Sequence, residues 1–303
     1  MPQTPPQSGP TTPPSFTRLF DGQCFADKIF VLAPPFQPSP KAVAEISQRC
    51  GNSIAVDTAN GDMAVPSGAQ VGALSIGIYH PPYNDASIPA VKFTPKRLDH
   101  PRGSAWDGRG NLWIADDLAG RVWEFRPPFT ESTQIAAESA VGTEPAGMSI
   151  DKRAKLMFVS DLGGNFTCAK TSCHVFVIRE PYTTHPIATL TYPHEMPFAV
   201  GVDPQGRLFV ALDTGETTGR VDVYTPPFSS GEKPAFSLDP GGQSRTLAFD
   251  SRGNLFSQLL QTGGVVEFDA PIDGSKTRPA AEIGCPQGST CERRNWAGLA
   301  FGP

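Results

Sequence analysis

The chain of 303 residues carries a net charge of −5 with a pI near 5.6, has only 18% charged residues, and holds no run of Lys or Arg longer than two. It therefore lacks the basic footprint by which proteins engage nucleic acid or an anionic membrane surface. No apolar run approaches the ~18 residues that span a bilayer, so membrane insertion is not expected either. Proline (32) and glycine (30) together make about a fifth of the chain, a density of punctuation that suits many short strands joined by turns and opposes long helices.

Residues 1–14, MPQTPPQSGPTTPP, hold little that can pack, and their prolines favour extended, solvated conformations. They read as a disordered tail. Met1 is followed by prolines where a secretory signal would place positive charge and then a hydrophobic segment, so no export signal is visible in this stretch.

From residue 15 onward the chain repeats. An aromatic-rich strand followed by Pro and a bulky residue recurs six times: VLAPPF ending at Phe36, GIYHPPY at Tyr83, VWEFRPPF at Phe129, VFVIREPY at Tyr182, VDVYTPPF at Phe228 and VVEFDAPI at Ile272. The spacings are 47, 46, 53, 46 and 44 residues. A period in that range, filled with short β-rich segments and turn signals about every ten residues, indicates the blades of a propeller.

Four strands, a to d from the axis outward, fit each period. In the clearest copy, a is GSAWD, b is LWIAD and c is RVWEF, with a GRGN turn between a and b. Asp107 closes that a strand, and Asp57, Asp151, Asp203 and Asp250 close the others, each before a turn. A carboxylate there accepts turn N–H groups, so these five aspartates are expected to be structural.

The ends of the chain complement each other. NWAGLAFGP is an a strand with nothing after it, while FTRLF, DKIFVLAPPF and KAVAEIS supply b, c and d with no a before them. The predicted fold is thus all-β: a six-bladed β-propeller of four-stranded blades over residues 15–303, closed by a 1+3 clasp that removes the exposed sheet edge of an open ring.

The segment HPRGSAWDGRGNLWIADDLAGRVWEFRPPF, with weaker copies in MPFAVGVDPQGRLFVALD, SRTLAFDSRGNLF and EPAGMSIDKRAKLMFVSD, resembles the NHL-repeat family, of the extracellular bacterial type. The resemblance covers about residues 15–303. It implies ties between b and c through Asp116 with Arg121 and Asp213 with Arg220, pairs that the second and sixth blades lack. It does not imply one activity, because the family includes scaffolds, binding modules and enzymes.

In this topology the d-to-a and b-to-c connections share one face, and all six cysteines fall on it. Their loop positions and close spacings favour disulfides over a metal site; the expected pairs are Cys24–Cys50, Cys168–Cys173 and Cys285–Cys291. They imply an oxidising compartment, so the protein is expected to be secreted, periplasmic or held at the cell surface. Asn165 begins a glycosylation acceptor sequence in the same face's loops.

The same face carries the mouth of the axial channel. His100, Arg102, Glu144, Arg245, Asn295 and Asn52 all precede or begin a strands and converge there, with His194 and Glu195 in a neighbouring loop. This polar set suits a small anionic or hydroxylated ligand. His100 and Glu144 are the acid–base candidates if the protein is catalytic.

No metal site or cofactor is expected. In gluconolactonase-type propellers, metal ligands sit five residues before the a-strand Asp, and here those positions read Asn52, Arg102, Ala146, Phe198, Arg245 and, in the clasp, Ala297. One oxygen donor beside two guanidinium groups does not cage a divalent cation. An amidating-lyase arrangement needs zinc-binding histidines across several blades, and only His100 and His194 are placed for it. Two functions follow: a binding or scaffold module acting through the cysteine-bearing face on a protein or small ligand, or a lyase or hydrolase using His100 and Glu144.

Overall fold

The computed structural model describes residues 17–23, 26–48, 51–68, 74–164, 168, 172–215, 217–287 and 298–303. The tail at 1–14, the acceptor Asn165, and Cys24, Cys50, Cys291 and Asn295 lie outside the described residues. Six four-stranded antiparallel sheets form the propeller. Blade 1 is the clasp, in the order β24 (Leu299–Gly302), β1 (Arg18–Gln23), β2 (Lys28–Leu32) and β3 (Ala44–Ser47). Blades 2 to 6 run in chain order through β4 (Ala55–Val56) to β7 (Val91–Phe93), β8 (Pro101–Trp106) to β11 (Ala137–Ser139), β12 (Pro145–Asp151) to β15 (Ala188–Tyr192), β16 (Met196–Val202) to β19 (Phe236–Leu238), and β20 (Ser244–Phe249) to β23 (Ala281–Ile283). Among the described residues no helix is long and apolar enough to cross a membrane.

The second strand of each blade is covered on both faces by neighbouring blades, so its residues are buried without alternation and are mostly apolar. All five residues of β9 (Leu112–Asp116) are buried, as are all six of β13 (Leu156–Asp161). The core is correspondingly divided between blades. One apolar cluster joins Phe20, Ile29 and Ile46 of blade 1 to Met63, Val65 and Tyr79 of blade 2. Another joins Phe158 and Val175 of blade 4 to Val210 and Leu212 of blade 5. Equivalent clusters fill the other four junctions, including that between blades 6 and 1.

The six Pro-containing markers serve these junctions. Each holds a cis peptide bond before its last proline, and the bulky residue after it reaches into the preceding blade. Tyr83 of blade 2 packs edge-on against Phe20, with ring centroids 5.0 Å apart. Tyr182 meets Trp113 at 5.4 Å, Phe228 meets Phe158 at 5.1 Å, and Phe36 meets Phe256 of blade 6 at 5.4 Å. Such contacts join aromatic burial to a fixed angle between sheets.

The five aspartates at the ends of the a strands hold their turns. Asp107 Oδ1 accepts the amides of Arg109 and Asn111 at 2.8 and 2.9 Å. Asp151 takes those of Arg153 and Ala154, Asp203 those of Gln205 and Arg207, and Asp250 those of Arg252 and Asn254; Asp57 accepts from Ala59.

The clasp junction contains a buried carboxylate. Asp21 of β1, 2% exposed, accepts 2.9 and 2.8 Å hydrogen bonds from the side-chain amides of Gln23 and, across the junction, Gln258 of β21 (Leu255–Leu259). Burial pushes its pKa up to about 7 against the opposing effect of these bonds. The buried Oε1 of Gln258 beside it has no hydrogen-bond partner among the described residues. Because the folded-state pKa lies above the unfolded value near 4, the fold retains a proton that the unfolded chain releases. The stability held at low pH is lost as pH rises through about 7. Asp21→Asn supplies an N–H that can meet Gln258 Oε1 after an amide flip. In urea titrations at pH 5 and pH 8, the variant is expected to gain roughly 1–3 kcal/mol relative to wild type at pH 8 and much less at pH 5; an equal effect at both pH values contradicts this assignment.

Candidate ligand site at the channel mouth

The first strands of the six blades surround the axis, and alternate residues along each face it. The uppermost ring contains Asn52, Arg102, Ala146, Phe198 and Arg245. Two residues further along lies a second ring of Ile54, Ser104, Met148, Val200, Leu247 and Leu299. Together they wall a cavity of about 100 Å³ at the channel mouth. The positions between the two rings abut the neighbouring strand and carry small residues. A Cβ on Gly147 would lie 2.8 Å from both Phe198 O and Ala199 Cα, and one on Gly103 would strike the Ala146 carbonyl oxygen.

The two arginines are held from behind by carboxylates. Arg102 donates from Nε to Asp117 Oδ2 at 2.7 Å, while His100 Nδ1 lies 2.6 Å from Asp117 Oδ1. The Asp117 side chain is fully buried. Burial raises its pKa, but the His100 bond, the Arg102 charge and bond and the His100 charge together hold the carboxyl below its ordinary range. Arg245 reaches from blade 6 to Asp213 of blade 5, Nη1 to Oδ2 at 2.8 Å, and its guanidinium carbon lies 3.7 Å from the centre of the Phe198 ring. Burial pushes Asp213 up to about 6, opposed by the charge of Arg245. Burial and the charge of Arg102 depress the pKa of Arg245, whereas Asp213 raises it. Thr246 also borders the cavity, and its buried Oγ1 has no hydrogen-bond partner among the described residues.

The remaining candidates occupy different settings. Asn52 lines the cavity and donates from Nδ2 to Pro101 O at 2.6 Å, tying blade 2 to blade 3. His100 is 7% exposed and turned to Asp117; it does not border the cavity. Glu144 is placed through its amide, which donates to Asp161 Oδ1 at 2.7 Å, and it is absent from the cavity wall. Glu195 pairs with Arg220 through two contacts of 2.5 and 2.7 Å, and His194 is exposed. Cys168 and Cys173 form a disulfide with Cα atoms 5.2 Å apart, in the loop before β14 (Cys173–Arg179). Cys285 is also disulfide-bonded.

Neither carboxylate–arginine tie implied by the family resemblance forms. Both Asp116 oxygens are already occupied, accepting the amides of Asp99, His100 and Ala119 and the Trp123 indole N–H. Arg121 turns to Gly120 O and toward Glu138. Arg220 is captured by Glu195 and by Asp222 at 2.8 Å, which leaves Asp213 to Arg245. Sequence pattern therefore does not indicate Asp117, nor the roles of Asp213 as the support of Arg245 and of Phe198 as its stacking face. A trace of Asp117 is visible in the doubled carboxylate Asp116-Asp117, where one suffices for the blade.

No protein-family model matches the sequence, and no curated protein matches it. Solved structures share the fold. A chain from a nidogen/laminin complex superposes with a TM-score of 0.68 at 16% identity over 94% of this chain and 98% of that one. A Bacteroides caccae protein of unknown function gives 0.62 at 11% over 95% and 99%. A functionally unknown Desulfotomaculum acetoxidans protein gives 0.57 at 17% over 94% and 88%. At these identities the likeness is one of fold alone.

The close approach at the axis predicts how the mouth responds to added bulk. Gly147→Ala is expected to cost about 2 kcal/mol or more, because both atoms in its way are backbone. Gly108→Ala meets only Lys152 Cβ at 3.9 Å and is expected to stay within roughly 1 kcal/mol of wild type. Chemical denaturation of the two variants makes the comparison, and equal stabilities contradict it.

Proposed function

We propose that the chain is a secreted or surface-exposed propeller of the NHL-repeat kind that binds a small anion on the axis of its disulfide-bearing face. The observation that carries this reading is the presence of two guanidinium groups, Arg102 and Arg245, in the wall of one cavity of about 100 Å³. Each is held by a carboxylate, and Arg245 is further fixed by the Phe198 ring. Preorganised guanidinium groups suit carboxylate, sulfate or phosphate oxygens because they offer planar, paired donors whose entropy is already restricted. The Cys168–Cys173 disulfide supports an oxidising compartment.

The catalytic alternative, with His100 and Glu144 as acid and base, has less support. His100 directs Nδ1 to Asp117, and neither residue borders the cavity where a substrate would be held. His100 instead acts with Arg102 on a shared carboxylate, which assigns it a positioning role.

Calorimetry with methanesulfonate, whose charge is constant across the range, tests the site. Arg102→Ala and Arg245→Ala are each expected to weaken binding about 10- to 100-fold, the loss of one charge-assisted contact; unchanged affinity in both contradicts the reading. Asp213 adds a pH signature. Above about pH 6 its carboxylate offsets the charge of Arg245, and below that it is neutral. Affinity should therefore rise severalfold from pH 8 to pH 5. Asp213→Asn should bind tightly at both pH values, which assigns the pH dependence to Asp213.

A further inference from the structure

The channel continues below the anion site, and its chemistry reverses. Two residues beyond the second ring comes a third, made of Val56, Trp106, Ile150, Val202, Phe249 and Phe301. Every member is apolar. This ring walls a second cavity of about 550 Å³ that opens toward the turns after the a strands. The same six residues of the second ring, Ile54, Ser104, Met148, Val200, Leu247 and Leu299, border both cavities. The two volumes are thus consecutive compartments of one axial passage with a waist between them, and all but one of the waist side chains are apolar.

The ends of the passage are also electrically unlike. The upper ring presents Arg102 and Arg245. Around the lower opening charges of both signs stand together: Asp203 is paired with Arg207 at 2.7 Å, Asp250 with Arg252 at 3.0 Å and Lys152 with Asp57 at 2.9 Å, while Asp151 holds its turn amides and Arg153 donates to the Pro204 carbonyl. The upper ring therefore favours an anionic group, whereas the charges around the lower opening are largely paired with one another and give an anion no comparable site. From the first ring to the third is four residues of strand, about 13 Å. At about 1.3 Å per C–C bond, an extended chain of roughly ten to eleven carbons covers that length, and one of eight carbons passes the waist.

We infer that the ligand is an amphipathic anion, a carboxylate or similar head on an unbranched apolar body, with the head at Arg102 and Arg245 and the body directed down the axis through the waist toward the Trp106 and Phe249 ring. This rests on the anion site proposed above and adds the nature of what is attached to the anion. Apolar surface leaving water supplies the affinity, and the guanidinium pair sets the direction. Met148 and Leu247 at the waist have unbranched Cβ atoms and alternative rotamers, so the passage can adapt to a methylene chain.

The test is a calorimetric series of acetate, butanoate, hexanoate and octanoate on the whole protein, with octan-1-ol and octyltrimethylammonium beside them. Affinity is expected to climb with each added pair of methylenes, octanoate binding at least about 100-fold more tightly than acetate. Octan-1-ol should bind more weakly than octanoate, and the ammonium more weakly still. Arg102→Ala should weaken every carboxylate by a similar factor. Val200→Phe at the waist should collapse the octanoate-to-acetate affinity ratio toward one, whatever its effect on acetate itself; should that variant fail to fold, the wild-type series decides. Carboxylates of equal affinity that remain sensitive to Arg102→Ala overturn the amphipathic inference and leave the anion site standing. A steep length dependence insensitive to both arginine substitutions overturns the placement of the head and the anion site together. Tighter binding of the ammonium than of octanoate reverses the direction and overturns the inference.

Discussion

No blade of this protein owns a complete core. Each sheet buries both faces of its inner strands, but the apolar clusters that do so each draw on two blades, so a sheet without its neighbours would expose large apolar surfaces. Closing the ring is therefore the condition for burying the core at all, and the other recurrent features serve it. The residue after each cis proline is inserted into the preceding blade, and the aspartate-held turns keep the first strands at the register that such insertion needs. β24 paired to β1 supplies the last junction, where Phe301 of β24 meets Phe256 of blade 6 with ring centroids 4.8 Å apart.

The site is a by-product of that closure. Six strands brought to one axis leave little room, so every second residue is small where strand meets strand, and the alternate residues are stacked as rings. The chemistry of such a channel therefore changes ring by ring. Two arginines in the upper ring would repel each other without partners, and the buried carboxylates Asp117 and Asp213 answer that repulsion from the far side, so the guanidinium groups are held without filling the cavity. Asp213 occupies the position in its blade that Asp116 and Asp161 occupy in theirs. Those two accept loop amides, whereas Asp213 is turned across the blade junction to Arg245. A repeat element has been diverted from holding its own loop to holding a neighbour's side chain.

This distinction explains what was legible in the sequence. The 44–53-residue spacing of the markers, the aspartates before turns and the complementary termini are local patterns imposed by strand and turn chemistry, and the blades, their strand order and the clasp all follow from them. Arg102 and Arg245 could be placed near the axis because their position before a known strand fixes their ring. Which carboxylate each arginine takes depends on distances between blades, and sequence spacing contains no such information. Hence the resemblance implied Asp213 with Arg220, while the fold brings Arg220 to Glu195 and Asp222. The same holds for His100: its position in the chain is axial and suggests an acid or base there, but its ring turns away to Asp117.

The clasp has a consequence in time as well as in space. β1 is made first among the described strands, and the strand that covers its inner edge, β24, is made last among them. At ordinary elongation rates of about 5–20 residues per second, β1 waits roughly 15–60 s for its partner. Throughout that interval the first blade has three strands, an open edge, and half of two cores. The structure therefore makes its own completeness the condition for burial: a chain cut short before Leu299 retains most of its blades but leaves β1 unpaired on its axial side, an open sheet edge of the kind that pairs with other chains.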